Sequence, residues 1–191
     1  LEAPIVHFEN YAELEKAADD SLKGKIAFIS NRMERFKDGA GFGPANIARS
    51  KGHELAAQKG AAALLIRSIG TGDHRNPHTG ATNVAMGYTM VPAVALSNPD
   101  ADQLVRLIGY GHSPKIRLNV QTKDLGAIVT KNVIGEMTGR ELPDEIVVIG
   151  GHLDSWDLGT GAVDDGAGVA IAMATGAFIK NNAQIRPRRT I

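Results

Sequence analysis

Four consecutive apolar residues, Ile146-Val147-Val148-Ile149, run directly into Gly150-Gly151-His152-Leu153-Asp154-Ser155-Trp156-Asp157, and Gly161-Ala162-Val163-Asp164-Asp165-Gly166 then leads into a stretch of small and apolar side chains. A short apolar run bounded by glycines reads as a buried strand, and residues 165–181 read as a helix. Strand, acidic loop and helix in that order commit this part of the chain to an α/β arrangement. His152 then stands at the carboxyl end of a strand, where open α/β sheets place their ligands.

Asp164 and Asp165 are adjacent carboxylates that repel each other, and a divalent cation relieves that repulsion. With His152 as a second donor they make half of a metal site. Asp154, two residues beyond His152, is placed to accept the second ring N–H and so to fix tautomer and orientation. The chain has no cysteine, so a zinc here takes only His, Asp and Glu ligands. The plainer alternative is that one aspartate caps the helix and His152 is an ordinary loop histidine; the buried strand before and the helix after favour the metal.

Composition excludes several other chemistries. Lys and Arg total 21 and Asp and Glu total 21 in 191 residues, without long blocks of one sign, so no nucleic-acid surface is expected and a peptide or small-molecule substrate fits better. Residues 166–179 are too short to span a bilayer and read as a buried helix. The glycines around the helix start follow neither phosphate-loop spacing, and two aspartates there would repel an anion. No G-x-S-x-G elbow is present. His53-Glu54-Leu55-Ala56-Ala57 begins like a zinc-protease helix, but Ala57 stands where the second histidine is required. His74 and His78 are four apart, yet Pro77 between them argues for a loop.

Upstream, residues 11–20 and 45–59 are predicted helices, and 25–30, 61–67, 91–97 and 116–120 are predicted strands. Asn98 is the expected N-cap of a helix through Gly109, with Pro99 in its first turn. Residues 68–83 form a long glycine-rich loop, of the kind that carries function in compact domains. Residues 128–137 and 145–150 are expected as two strands joined by a turn over 138–144, and residues 188–191 resemble the start of another strand.

The segment GGHLDSWDLGTGAVDDGAG resembles the metal-binding segment of the co-catalytic zinc exopeptidases. The likeness extends to Leu65-Ile66-Arg67-Ser68, Pro77-His78-Thr79-Gly80, Asn132-Val133 and Arg186-Pro187-Arg188-Arg189-Thr190. It implies an α/β chain in which a protease-associated α+β domain, residues 5–124, is followed by an incomplete mixed-sheet peptidase domain, residues 125–191. It also implies two zinc ions in the complete site, with His152 binding one, Asp164 bridging both, Asp154 orienting His152 and a cis peptide between Asp164 and Asp165. Trp156 and His78 are candidate substrate contacts.

In that family a water bridging the metals attacks the peptide bond while a glutamate acts as general base. That glutamate and the remaining ligands are expected beyond Ile191, so this chain by itself is expected to lack peptidase activity. The resemblance further implies small peptides or dipeptides as substrates and a secreted or periplasmic location. The apolar edges of a truncated sheet lead us to expect self-association. The competing reading is a protease-associated binding module or lid without catalysis of its own.

Overall fold

The computed structural model describes residues 1–78, 80–82, 90–123, 125–156 and 159–191. The chain is mixed α/β and divides into two compact units, Leu1–Lys123 and Asp124–Ile191.

The first unit is built on a five-stranded sheet. Its strands are β1 (Glu2–Phe8), β2 (Ile26–Ile29), β3 (Ala63–Arg67), β4 (Ala93–Leu96) and β5 (Lys115–Arg117), in the order β4-β3-β2-β1-β5. The first four are parallel and β5 is antiparallel to β1. Between them lie α1 (Tyr11–Lys16), α2 (Phe42–Ser50), α3 (Gly52–Gln58) and α4 (Asn98–Gly109). Side chains alternate across a strand. Ala27, Ile29, Leu64 and Ile66 therefore pack with Leu14, Ala48, Leu55 and Ala56 of α1, α2 and α3. Ile26, Phe28, Ala63 and Leu65 pack with Ala101 and Leu104 of α4. Both faces of β2 and β3 are covered, which is why these strands read as unbroken apolar runs.

Three local expectations change. β1 is not among the predicted strands; Pro4, which cannot donate to a ladder, lies opposite Lys115 where β1 meets the short strand β5, while residues 5–8 pair with β2. The helix predicted over 45–59 is two helices, broken at Lys51 (φ −125°). A side chain at Gly52 would come within 3.0 Å of the Leu64 methyl, so the second helix starts where its backbone lies against the sheet. The N-cap of α4 is Ser97, whose hydroxyl accepts the Asp100 N–H at 3.2 Å; Asn98 instead donates to the carbonyls of Gly70 and Gly72 at 3.1 and 2.8 Å. Those two bonds, with Arg75 paired to Asp100 and the His78 N–H on Ser68 Oγ at 2.7 Å, tie down the described part of the 68–83 loop.

The carboxyl ends of β2, β3 and β4 are joined by one buried side chain. Arg67 is only 4% exposed. It donates from Nε to the Ser30 carbonyl at 3.0 Å, from Nη1 to Asn98, and from Nη2 to Asp102, which Arg32 also engages. Burial pushes the Asp102 carboxyl up, but the hydrogen bond and charge of Arg67, with the charges of Arg32 and Arg106, hold it below the usual aspartate value.

The second unit contains β6 (Leu142–Ile146), α5 (Gly168–Asn181) and β7 (Arg189–Thr190). β6 and β7 are parallel neighbours, so β6, α5 and β7 form a strand–helix–strand unit. The expected hairpin is not formed. β6 begins inside the segment read as a turn, and residues 128–137 take no strand structure, although Met137 and Ile191 exchange both backbone hydrogen bonds at 2.9 and 3.0 Å. Gly139 is the point of close approach: a side chain there would come within 2.6 Å of the Arg188 carbonyl oxygen and 2.7 Å of the Thr190 nitrogen.

The expectation of a buried strand and a buried helix is also corrected. Ile146 is 67% exposed and Val148 86%, and no residue of α5 is buried, because β7 is the one strand alongside β6 among the described residues. Residues Ala162–Asn181 are long and apolar enough to cross a membrane by length and composition. They are not one helix: Asp164 and Asp165 have non-helical backbone angles, and the 14 residues of α5 extend about 21 Å against a hydrocarbon core of about 30 Å.

Candidate metal centre

Between β6 and α5 the chain passes through residues 147–161 and an irregular wide turn, Ala162–Ala167. Gly161 enters this turn with φ +67°, and a side chain on it would lie 2.8 Å from Ser155 Cβ, so glycine is required there on both counts. The Asp164–Asp165 peptide is cis, as the family likeness implies.

This turn sends the two adjacent carboxylates to different tasks. Asp165 faces the protein: Oδ2 accepts the His152 N–H at 3.1 Å and Oδ1 accepts the Gly168 N–H at 3.1 Å. It therefore both caps the first turn of α5 and pins the loop to it. Gly151 and Gly168 flank this carboxylate, and a side chain on either would collide with it. Asp164 points the other way, its Oδ1 lying 2.9 Å from His152 Nε2.

His152 is held from both sides. Nδ1 donates to the Asp154 carbonyl at 2.9 Å, with the Asp154 carboxylate at 3.2 Å. Both ring nitrogens thus face oxygen acceptors, the arrangement of an imidazolium. The hydrogen bond to Asp164 is the largest cause raising the His152 pKa above its ordinary value; desolvation opposes it, and Asp154 adds through its carbonyl and its charge.

The geometry suits zinc at one edge. Zinc at about 2.0–2.1 Å from a nitrogen and an oxygen in a tetrahedral shell separates them by roughly 3.3 Å, so His152 Nε2 and Asp164 Oδ1 need to part by only a few tenths of an ångström. Among the described residues no group of three or more potential ligands gathers, so these residues make two donors of a larger set.

Proton and metal compete for the same Nε2 lone pair. Replacing Asp164 with asparagine is therefore expected to lower the His152 pKa toward the ordinary value of about 6.5, read from the imidazole proton shifts in an NMR titration. In the unaltered chain, zinc retention is expected to rise with pH through the raised pKa, because the imidazole must be neutral to coordinate. An unchanged titration in the variant contradicts the assignment of Asp164 as the partner.

The other sequence candidates fall as follows. Trp156 is 48% exposed, and its carbonyl accepts the Gly159 N–H at 2.8 Å. Asp157, Thr79 and Asn83 lie outside the described residues. His78 belongs to the first unit, with Nδ1 3.2 Å from Arg49 Nη1. His74 Nδ1 accepts the Asn76 N–H at 3.3 Å, so His74 and His78 do not form one site. Sequence reasoning did not separate the roles of Asp164 and Asp165. The signal for it is the pair of glycines at 151 and 168, which leave room for one carboxylate.

A sheet-based α/β unit is thus followed by a strand–loop–helix segment that brings a histidine and a carboxylate together beyond the end of β6. The chain belongs to the PA domain family, whose model matches residues 1–104, and its residues 132–191 match the model of peptidase family M28.

Carboxypeptidase Q from Bos taurus and from Homo sapiens are each 30% identical over 191 residues, covering 100% of this chain and 39% of those proteins. A probable leucine aminopeptidase 2 of Aspergillus fumigatus is 29% identical over 186 residues, covering 95% of this chain and 33% of that protein. Among solved structures, the crystal structure of a peptidase M28 precursor from Shewanella amazonensis SB2B matches with a TM-score of 0.95 and 46% identity, over 100% of this chain and 43% of that one. The chain spans about two-fifths of the length of the carboxypeptidase Q relatives.

Proposed function

We propose that the protein to which this chain belongs is a zinc-dependent exopeptidase acting on small peptides or dipeptides, and that this chain holds half of its two-metal centre. The observation that carries the reading is the convergence of His152 Nε2 and Asp164 Oδ1 at 2.9 Å beyond the carboxyl end of β6, on a segment of peptidase family M28. The names of the relatives, carboxypeptidase and aminopeptidase, support action at a chain end.

When bound, zinc supplies a Lewis acid and an acidified water. The chain's own residues hold and orient. His152 offers Nε2 because the Asp154 carbonyl takes the proton on Nδ1, and Asp164 offers a carboxylate, 77% exposed here, that can bridge two ions. Asp165 contributes no open oxygen to the metal side; it locks the His152 backbone to α5. With two donors among the described residues and about four ligands needed by each zinc, this chain alone is expected to leave hydrolysis uncatalysed.

The test is hydrolysis of unblocked dipeptides by the full-length protein and by this chain, with and without a chelator. The full-length protein is expected to cleave them in a chelator-sensitive way, with His152→Ala lowering the rate at least about a hundredfold. This chain is expected to give none. Chelator-sensitive cleavage by this chain at the full-length rate contradicts the half-site. A chelator-insensitive full-length enzyme contradicts the metal.

A further inference from the structure

Asp38-Gly39 and Asp165-Gly166 are the two places in this chain where an aspartate precedes a glycine. At such a pair no side chain on the following residue hinders attack of its amide nitrogen on the aspartate carboxyl carbon, and a five-membered imide can close. The two pairs stand in opposite surroundings.

At Asp165 both reacting groups are held. Its carboxylate oxygens accept the His152 and Gly168 N–H groups, each at 3.1 Å, and the Gly166 N–H donates to the Gly161 carbonyl at 2.7 Å. Closure there waits on a local opening that breaks these bonds. Asp38 is far less restrained. Residues 31–41 join β2 to α2 without helix or strand, and residues 34–40 are all exposed. Asp38 Oδ1 accepts the Ala40 N–H at 3.1 Å, an Asx turn that folds the carboxyl back along the Gly39 peptide. The Gly39 N–H reaches the Phe36 carbonyl at 3.3 Å, longer than the usual limit of about 3.2 Å. Gly39 has φ +75°, and nothing lies within 4 Å of a Cβ built on it, so the space beside the attacking nitrogen is open.

We propose that Asp38-Gly39 is a site of spontaneous isoaspartate formation, and that the modified loop is a substrate for a carboxyl methyltransferase specific for isoaspartate. The Gly39 nitrogen bonds to Asp38 Cγ, and one carboxyl oxygen leaves as water with the amide proton and a proton from solvent. Water then opens the imide. Cleavage at the former main-chain carbonyl leaves Gly39 attached through Cγ, frees an α-carboxylate and releases a proton. Neither step needs an oxidant or a reductant. The freed α-carboxylate is the group that accepts a methyl from S-adenosylmethionine.

The modification adds one carbon, about 1.5 Å, to the main chain. This loop has no slack to absorb it. The Gly39 carbonyl accepts the Phe42 N–H at 3.0 Å and the Gly41 carbonyl accepts the Ala45 N–H at 3.4 Å. Gly41 also lies so close to Glu34 that a Cβ there would fall 2.0 Å from the Glu34 carbonyl oxygen. The added carbon therefore displaces the first turn of α2, the helix that buries Ala45 and Ala48.

The test ages this chain at physiological temperature and pH. Methyl transfer from labelled S-adenosylmethionine by a purified isoaspartyl methyltransferase is followed over time, and peptide mapping locates the label. Methyl acceptance is expected to rise and to map to Asp38. It should exceed that at Asp165 at least about tenfold, the factor for breaking one hydrogen bond to a charged group. Asp38→Glu, at an exposed residue outside every helix and strand, keeps the charge but needs a larger ring to close, and is expected to remove the rise. In the isomerised chain, separated chromatographically from the unmodified one, amide exchange in the first turn of α2 is expected to quicken about fivefold, the effect of losing one main-chain hydrogen bond. No rise with time, a rise that survives Asp38→Glu, isoaspartate at Asp165 equal to that at Asp38, or unchanged exchange in α2 of the isomerised chain would each overturn the proposal.

Discussion

Asp102→Ala is expected to destabilise the first unit by about 3 kcal/mol, because it leaves the guanidinium of Arg67 buried without its counter-charge. The Arg67 side chain is 3% exposed and that of Asp102 28%, so the loss falls at the lower end of what breaking a buried pair costs. Arg67 keeps its bonds to Ser30 and Asn98, which prevents a larger loss. The Arg32 side chain, 68% exposed on the same carboxylate, is a surface partner, and Arg32→Ala is expected to cost under about 1 kcal/mol. For a unit of this size the Asp102→Ala change corresponds to a melting shift of roughly 10–15 °C, read by thermal denaturation.

The pH dependence has a fixed sign. The Asp102 pKa is depressed in the folded unit, so its contribution is complete above the ordinary aspartate value of about 3.9. It is lost as pH falls through the lower folded value. The difference between the unaltered chain and Asp102→Ala should therefore narrow in acid. A melting point for Asp102→Ala within 2–3 °C of the original, roughly 1 kcal/mol or less, contradicts the strut role.

Gly151→Ala is expected to disorganise the metal centre without removing a ligand. The new Cβ would lie 2.7 Å from both Asp165 Oδ2 and the Val169 nitrogen and 2.9 Å from the Gly168 carbonyl carbon. Two of these are backbone atoms of the turn and helix, which cannot rotate aside, so the loop must move. Overpacking of this kind costs about 1–3 kcal/mol. Here it also breaks the hydrogen bond from the His152 N–H to Asp165. Loss of such supporting contacts lowers metal affinity roughly 10–100-fold, and that range is the expected result in a zinc competition titration. Gly150 is the control: nothing lies within 4 Å of a Cβ built there, and Gly150→Ala should bind zinc as the original does. Equal affinities for the two variants contradict the positioning role of Asp165.

Much of the first unit is legible in the sequence because its strands are covered on both faces and its helices are ended by turn residues. The errors share a physical origin. Lys51 is an ordinary helix former, so the break before Gly52 is set by the approach of the backbone to Leu64 rather than by local propensity. Ser97 and Asn98 are both good caps, and Gly70 and Gly72 decide between them by occupying the Asn98 amide. In the second unit, residues 128–137 have the composition of a strand, but pairing depends on neighbours, and among the described residues only Met137 finds one, in Ile191.

At the candidate centre, the spacing from His152 to the aspartate pair announces metal chemistry. Which of two identical, adjacent residues faces the metal depends on the backbone path through the turn, and no side-chain pattern encodes that by itself. Arg49 and His78 meet across 29 positions of sequence, a pairing that appears only once α2 and the loop have folded against β3 and β4.

Zinc stoichiometry on this chain, after metal loading and dialysis, tests the half-centre most directly, with His152→Ala and Asp164→Ala alongside. The account predicts less than one zinc per chain, easily lost to a chelator and absent in both variants. Two zinc ions held firmly by a monomeric chain would contradict it, since that result requires ligands beyond His152 and Asp164 within the chain.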